Sequence, residues 1–271
     1  MFGRLPLPLL HALGIGLGWL VYLFDRRYRE RLRTNLKLAF GDNSGLRRRA
    51  IGESGKSIAE LPAVWTREYT DVLALIREVR GWQAVEALAG RGIVFMTPHL
   101  GCFEIASAYI AARLPMVVLY RPPKLAALAP LMENARRRGR VTLATPDFKG
   151  VKLLLKALKS HETVGILPDQ VPSFGDGVSA PFFGRDAYTM TLPTRLLHST
   201  GAAAIMVAAQ RLSHGRGYIL HFEPITLAEG DAQAAASSLN QAIETLVRRF
   251  PEQYLWSYNR YKRPKAAPQR S

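Results

Sequence analysis

From residue 92 to residue 169, short apolar runs alternate with stretches of helical spacing, and this alternation restricts the possible folds more than any other feature. The runs "GIVFMT" (92–97), "MVVLYR" (116–121), "VTLAT" (141–145) and "TVGILPD" (163–169) have the length of strands. Between them, "CFEIASAYIAARL" (102–114), "LAALAPLMENARRRG" (125–139) and "GVKLLLKALKSH" (150–161) place apolar residues three and four apart. Strands separated by helices of this size join by crossovers, so the expected fold is α/β, with a central, mostly parallel sheet flanked by helices. After a loop and a short helix, "AAAIMVAAQR" (202–211) and "YILHFEPI" (218–225) add two strands, the last of them antiparallel. A long helix is expected from Asp231 to Arg249. Ahead of the alternating region, Arg26 to about Arg80 reads as mostly helical, with a break at Pro62. No linker divides residues 26–271, which are read as one domain.

Residues 1–25 are read as a membrane-anchoring helix. Leu5 to Phe24 contains no Asp, Glu, Lys or Arg. Twenty helical residues span about 30 Å, the thickness of a bilayer's hydrocarbon core. Trp19 and Tyr22 lie near its end, where aromatic side chains favour the interface, and arginines follow from Arg26. Positive residues prefer the cytoplasmic side, which places the bulk of the chain there. Pro6 and Pro8 shorten the uninterrupted helix, so a full span and a helix lying in the interface both stay open. The segment is a poor secretory signal, because only Arg4 precedes it and "LFDRRYRE" lacks a small-residue cleavage site.

The formal net charge is +16, which attracts polyanions: nucleic acid, an anionic membrane surface or an acidic protein. No nucleic-acid recognition motif is present, and the apolar N-terminus argues against that partner. Cys102 is the single cysteine, so an intrachain disulfide and a cysteine-based zinc site are both excluded. "GESGKS" (52–57) has the wrong glycine spacing for a phosphate loop, and no Gly-x-Ser-x-Gly elbow occurs.

"TPHLGCFE" (97–104) sits at a strand-to-helix junction. Pro98 ends the ladder, His99 falls on the turn, and Glu104 lies in the first turns of the next helix. A pair at i and i+5 is about 140° apart on a continuous helix, so the two meet only if His99 folds back, a freedom Gly101 supplies. Glu104 would then fix the tautomer of His99 and leave the other ring nitrogen to take a proton from a hydroxyl. A base with its orienter and no built-in nucleophile suits direct transfer of an acyl group from a thioester to an alcohol. Cys102 is either a second nucleophile, with His99 as its base, or a small residue packed in the helix.

Taken together, five ordered blocks resemble the lipid A late acyltransferases. "HLGCFE" matches that family's His-x₄-Asp/Glu motif. "RTNLKLAF" (33–40), "LYRPPK" (119–124), "ILPDQVPSFGDGVSAPFFGRDAYTMTLPTRLL" and "PEQYLWSYNRYKRP" resemble its Arg-x-Asn-Leu, Tyr-Arg-Pro, Asp-Gln with Phe-Phe-Gly, and Trp-x₃-Arg blocks. The resemblance implies a glycerol-phosphate acyltransferase type of fold and an acyl carrier protein thioester as donor. It implies a phosphorylated glucosamine lipid as acceptor, the cytoplasmic face of the inner membrane as location, and neither metal nor cofactor. By the same resemblance Arg121, Asp169, Gln170 and Arg185 are expected to bind substrate, and Phe182 and Phe183 either shape the acyl groove or pack. Phe103 stands where the family often has Trp, which leaves another glycolipid or a lysophospholipid open as acceptor. A non-enzymatic basic protein is the more distant reading.

Overall fold

A computed structural model describes residues 2–121 and 126–264. Five helices come first: α1 (Leu7–Phe24), α2 (Arg26–Phe40), α3 (Ser44–Ala59), α4 (Leu61–Thr66) and α5 (Tyr69–Leu73). Then follow β1 (Ile76–Arg80), α6 (Trp82–Glu86), β2 (Ile93–Met96), α7 (Phe103–Ala111), β3 (Met116–Leu119), α8 (Ala129–Arg136), β4 (Val141–Ala144), α9 (Phe148–Lys159) and β5 (Thr163–Ile166). The chain continues through β6 (Gly177–Phe182), β7 (Arg185–Met190), α10 (Leu192–Thr200), β8 (Ala203–Arg211), β9 (Tyr218–Ile225) and α11 (Ala232–Arg249). Asp25, Asn43, Asp147 and Asp231 cap α2, α3, α9 and α11, each side chain accepting a backbone N–H of the first turn.

The central sheet has seven strands in the order β1-β9-β8-β2-β5-β3-β4. Every neighbouring pair is parallel except β8–β9, as the sequence predicts for the strand after Gly217. Strands β2, β3, β4, β5 and β8 therefore end on one common edge. Strands β2 and β5 are buried along their whole length, as central parallel strands are when both faces are covered. Alternation splits β2 between two cores. Val94 and Met96 pack with Leu154, Leu158, Ile243 and Val247 on one face, and Ile93 and Phe95 pack with Ile105, Ile110 and Tyr218 on the other.

Two stretches depart from the sequence expectation. Ile76–Arg80 is a strand where a helix is expected; "IREVR" carries charge at alternating and adjacent sites, and its parallel pairing with the distant β9 decides its state. Residues 177–190, expected as loop, form a two-stranded antiparallel hairpin of β6 and β7. Phe183 and Gly184 occupy its turn with φ of 47° and 75°, the positive pair that a tight hairpin turn requires.

Helix α1 is packed against the body of the protein. Gly14 and Gly18 face α3, and a Cβ on Gly55 would fall 1.9 Å from the Gly14 carbonyl oxygen. Below this contact lies a buried polar cluster. Arg211 donates to Glu60 through Nε and Nη2 at 2.9 and 2.6 Å and to Glu53 through Nη1 at 2.6 Å. Tyr218 donates to Glu60 at 2.8 Å, and His11 Nε2 of α1 lies 3.2 Å from the same carboxylate. Burial alone would raise the Glu60 pKa, but Arg211 overrides it and holds the carboxyl at about 2. The opposite face of α1 exposes Leu9, Leu13, Leu17, Leu20 and Phe24.

Candidate active site

The site is built where β2 and β5 end. In their register Met96 stands opposite Ile166, and each chain then leaves the sheet for three more residues. Those steps bring His99 and Asp169 together. His99 Nδ1 lies 2.8 Å from Asp169 Oδ1, and the His99 backbone N–H donates to Asp169 Oδ2 at 2.9 Å. One carboxylate thus holds both the ring and the main chain of the histidine. Asp169 is 2% exposed. Its burial favours the neutral acid, but His99 and, more weakly, Arg260 outweigh this and lower its pKa below the usual carboxylate value.

The partners assign the tautomer. Nδ1 carries the proton toward Asp169, and Nε2 is the acceptor, facing the Gln170 amide nitrogen at 3.2 Å. Gln170 is exposed, so this lone pair sits at the site's solvent side. The Phe103 ring closes one flank, its centroid 4.8 Å from that of His99. Gly101 makes the return of the loop possible. Its φ is +60°, and a Cβ there would lie 1.9 Å from the Ala209 carbonyl oxygen of β8.

Glu104 does not orient His99. Its carboxylate forms a two-point ion pair with Arg136 of α8, with Nε donating to Oε2 at 3.1 Å and Nη2 to Oε1. The reason is geometric: Glu104 belongs to the first turn of α7 and points toward α8, whereas His99 is fixed from the β5 side. Arg121 sits on the same sheet edge, exposed, two residues beyond the end of the parallel strand β3. The Glu104 carboxylate takes Arg136, not Arg121, as its partner. Pro122, Pro123 and Lys124 of the Tyr-Arg-Pro block lie outside the described residues. Arg185 is on the separate hairpin, its guanidinium 4.9 Å from the Tyr261 ring centroid. Phe182 and Phe183 are core residues, packed on Tyr254 and Trp256.

A narrow cavity runs from Thr97, Phe103, Glu104 and Arg136 into the space between α4, α7 and the sheet. Val64, Trp65, Ala108, Val118, Val141 and Ile166 line it, together with the polar Tyr69, Ser107 and Arg138. Phe182 and Phe183 do not line it. Gly165 forms part of the wall where a Cβ would meet the Met116 methyl at 2.3 Å. Arg136 has no local signal linking it to Glu104, 32 residues away, and the sequence presents it only as one of a basic cluster. Cys102 is 2% exposed, and burial, with the Glu60 charge beside it, pushes its thiol well above the usual range. A thiol held protonated is a poor nucleophile, which favours the packing reading.

The profile of the bacterial lipid A biosynthesis acyltransferases matches residues 1–263. The chain belongs to that family. This acyltransferase is 28% identical to the lipid A biosynthesis lauroyltransferase of Escherichia coli (strain K12), over 98% of this chain and 90% of the relative. It is 31% identical to the lipid A biosynthesis palmitoleoyltransferase of the same organism, over 96% of this chain and 87% of that one. A solved structure, the 1-acyl-sn-glycerophosphate (LPA) acyltransferase PlsC from Thermotoga maritima, aligns with a TM-score of 0.41 at 15% identity, over 90% of this chain and 95% of that chain. The acyltransferase carries His99 three residues beyond a central parallel strand, hydrogen-bonded to a buried carboxylate.

Proposed function

We propose that this acyltransferase moves a fatty acyl chain directly from an acyl carrier protein thioester to a hydroxyl of a phosphorylated glucosamine lipid A precursor, with His99 as general base and Asp169 as its orienter. The observation that carries the reading is the His99–Asp169 pair with Nε2 left as acceptor. The acceptor hydroxyl takes the place of the Gln170 amide at Nε2 and gives up its proton as its oxygen attacks the thioester carbonyl. The carbon–sulfur bond then breaks, and the imidazolium returns the proton to the departing thiolate. Asp169 stays ionised and stabilises the imidazolium between these two steps. No acyl-enzyme is required, in keeping with the protonated Cys102. The cavity receives the acyl chain, with its thioester at the Phe103–Glu104 mouth. Arg121, exposed beyond β3, meets an acceptor phosphate.

The membrane face is α1. Its Gly14–Gly18 side is occupied by α3, so lipid does not surround it. The free Leu9–Phe24 stripe then lies in the interfacial plane, with the chain on the cytoplasmic side of the inner membrane. Arg26, Arg27, Arg29, Arg31 and Arg33 follow at once, and near an anionic leaflet each contributes about 1 kcal/mol. The same positive charge suits an acidic carrier protein.

The test is an assay of purified wild-type and His99→Gln proteins with an acyl carrier protein thioester and a phosphorylated lipid A precursor, products identified by mass spectrometry. Acylated precursor from wild type alone supports the reading. Equal yields from both would overturn it, and acylation only of a lysophospholipid would move the acceptor.

A further inference from the structure

Strand β2 ends at Met96, opposite Met206, but β8 runs on to Arg211. Ala209 and Arg211 are buried, so the backbone groups on the edge that β2 leaves open need partners. The His99 loop supplies the first. Gly101 makes a parallel bridge with Ala209, and the Cys102 N–H donates to the Ala209 carbonyl at 3.0 Å. At Arg211 a side chain takes the place of a strand. The Arg211 N–H donates to Gln253 Oε1 at 2.7 Å, and Gln253 Nε2 donates back to the Arg211 carbonyl at 2.9 Å. One amide thus supplies both the acceptor and the donor that a neighbouring strand would offer.

Gln253 also opens the stretch that holds His99. Its own carbonyl accepts the Gly101 N–H at 3.1 Å, and the Leu255 N–H donates to the His99 carbonyl at 3.0 Å. Leu100 and Tyr254 form an antiparallel bridge between these bonds. The His99 N–H is already on Asp169 Oδ2, so the peptide groups on both sides of the histidine are fixed. The loop therefore lies between the end of β8 and residues 253–255, and the Gln253 amide ties these two neighbours together. Its anchor at Arg211 is rigid, because Glu60 and Glu53 hold the Arg211 side chain. The far end of the stretch is held separately. Asn35 of α2 donates through Nδ2 to the Trp256 and Tyr258 carbonyls at 2.7 and 3.0 Å. Removing the amide thus frees the His99 end of the stretch and leaves the rest attached.

We propose that Gln253 is a positioning residue of acyl transfer, whose side-chain amide locks residues 253–255 to the end of β8 and so holds the His99 ring where it meets Asp169 and the acceptor hydroxyl. This rests on the reading of His99 as general base. Gln253 does not line the cavity, so its effect falls on the placement of the base rather than on binding of the donor. A misplacement of about 1 Å at a reacting group can cost about 10²-fold in rate.

The experiment is kcat and KM for wild type, Gln253→Met, His99→Gln and the double variant, with unfolding midpoints and amide hydrogen exchange measured on the same preparations. Gln253→Met keeps the length of the side chain and loses both bonds to Arg211. Its expected kcat is lower by about 10–100-fold, with KM for the donor little changed. Exchange at the Gly101 and Leu255 N–H groups is expected to be faster by about tenfold or more. In the His99→Gln background the same substitution is expected to cost nothing further, because placement of the base no longer matters once the base is gone. If Gln253→Met does not fold, Gln253→Glu, which keeps the acceptor for the Arg211 N–H and loses the donor, carries the same measurements. An equal fold loss in both backgrounds would overturn the proposal, since a loss of folded protein multiplies with any other loss. A lower kcat with unchanged exchange at the two amides would also overturn it, and this outcome decides where the His99→Gln rate is below detection. His99→Gln alone tests the base: if it keeps wild-type turnover, the base reading fails. If it loses turnover while Gln253→Met does not, only the role of Gln253 fails.

Discussion

His99 and Asp169 stand three residues beyond a single register pair, Met96 opposite Ile166, and meet at 2.8 Å because two adjacent parallel strands release their chains together. Seventy residues of sequence separation collapse to one hydrogen bond through strand pairing alone. The partner of His99 is thus set by sheet order rather than by the local spacing of "TPHLGCFE".

This assigns different consequences to the two carboxylates. General-base catalysis contributes roughly 10²–10⁴-fold, and His99→Gln is expected to lose activity on that scale while the protein stays folded. Asp169→Asn is expected to fall nearly as far, since a neutral amide stabilises the imidazolium poorly. Glu104→Gln keeps its shape against Arg136 and leaves the base intact, so its loss is smaller and the acid limb stays in place. Initial acyl-transfer rates against pH for the three variants check this. A larger loss in Glu104→Gln than in Asp169→Asn would return the orienting role to Glu104.

The positions of most elements were legible. The apolar runs at β2, β3, β4, β5, β8 and β9 have the right length and punctuation, and helices between them imply a parallel sheet. Legibility ended where non-local pairing decides the outcome. Ile76–Arg80 is a strand because β9 is beside it, and the β6–β7 hairpin depends on a turn at Phe183–Gly184 that no Asn-Gly or Asp-Gly announces. His99, Asp169 and Glu104 were all visible as site residues, yet the sequence pairs His99 with the nearer carboxylate. Strand order, which determines that β5 rather than α7 supplies the partner, is not written in the spacing of either motif. The cavity wall was equally hidden, since Val64, Trp65, Val118 and Val141 come from three separate elements, α4, β3 and β4.

The cavity predicts donor selection. Ala108 and Val118 line it, and a larger side chain there shortens the space for an acyl chain. Ala108→Phe or Val118→Phe is expected to shift preference toward shorter donors in competition assays with mixed acyl carrier protein thioesters. Phe182→Leu and Phe183→Leu, in the core away from the cavity, are expected to lower stability with chain preference unchanged. A changed preference in the latter pair, with none in the former, would place the acyl chain elsewhere.

If α1 is the membrane face, its two sides separate attachment from folding. Leu13→Asp with Leu17→Asp and Leu20→Asp charges the free stripe and leaves the α3 contact untouched, so the protein is expected to move to the soluble fraction while still folded. Gly18→Leu does the reverse, because a Cβ at Gly18 lies 2.3 Å from the Ile51 carbonyl oxygen. Arg211→Met strands Glu60 in the core, and breaking a buried ion pair from one side typically costs about 3–5 kcal/mol. Membrane flotation and denaturant midpoints distinguish the cases. Retention of the triple variant on membranes in high salt would show that α1 is not the main attachment.

Acid stability offers a check far from the chemistry. His221 Nε2 lies 3.0 Å from Gln210 Oε1, and Nδ1 faces the Arg249 guanidinium at 3.3 Å. The neutral ring fits both partners, donating through Nε2 and accepting at Nδ1. Burial first, then Arg249 and Arg80, lower its pKa from 6.5 to about 4. The unfolded chain therefore binds a proton in a range where the folded chain does not, and stability rises with pH between about 4 and 6.5. The contribution is complete above the upper value and is lost as pH falls to the lower one. Arg249 and Arg80 are themselves partly solvated, so screening reduces the effect to about 1–2 kcal/mol. Glu60 acts in a lower window, from 4.5 down to about 2, which meets that of His221 only at its upper end. His221→Gln keeps a polar side chain and removes the titration. Denaturant midpoints from pH 7 to pH 4 are expected to fall less steeply for His221→Gln than for wild type. Parallel curves for the two proteins would mean that the ring takes up its proton in the folded state without cost.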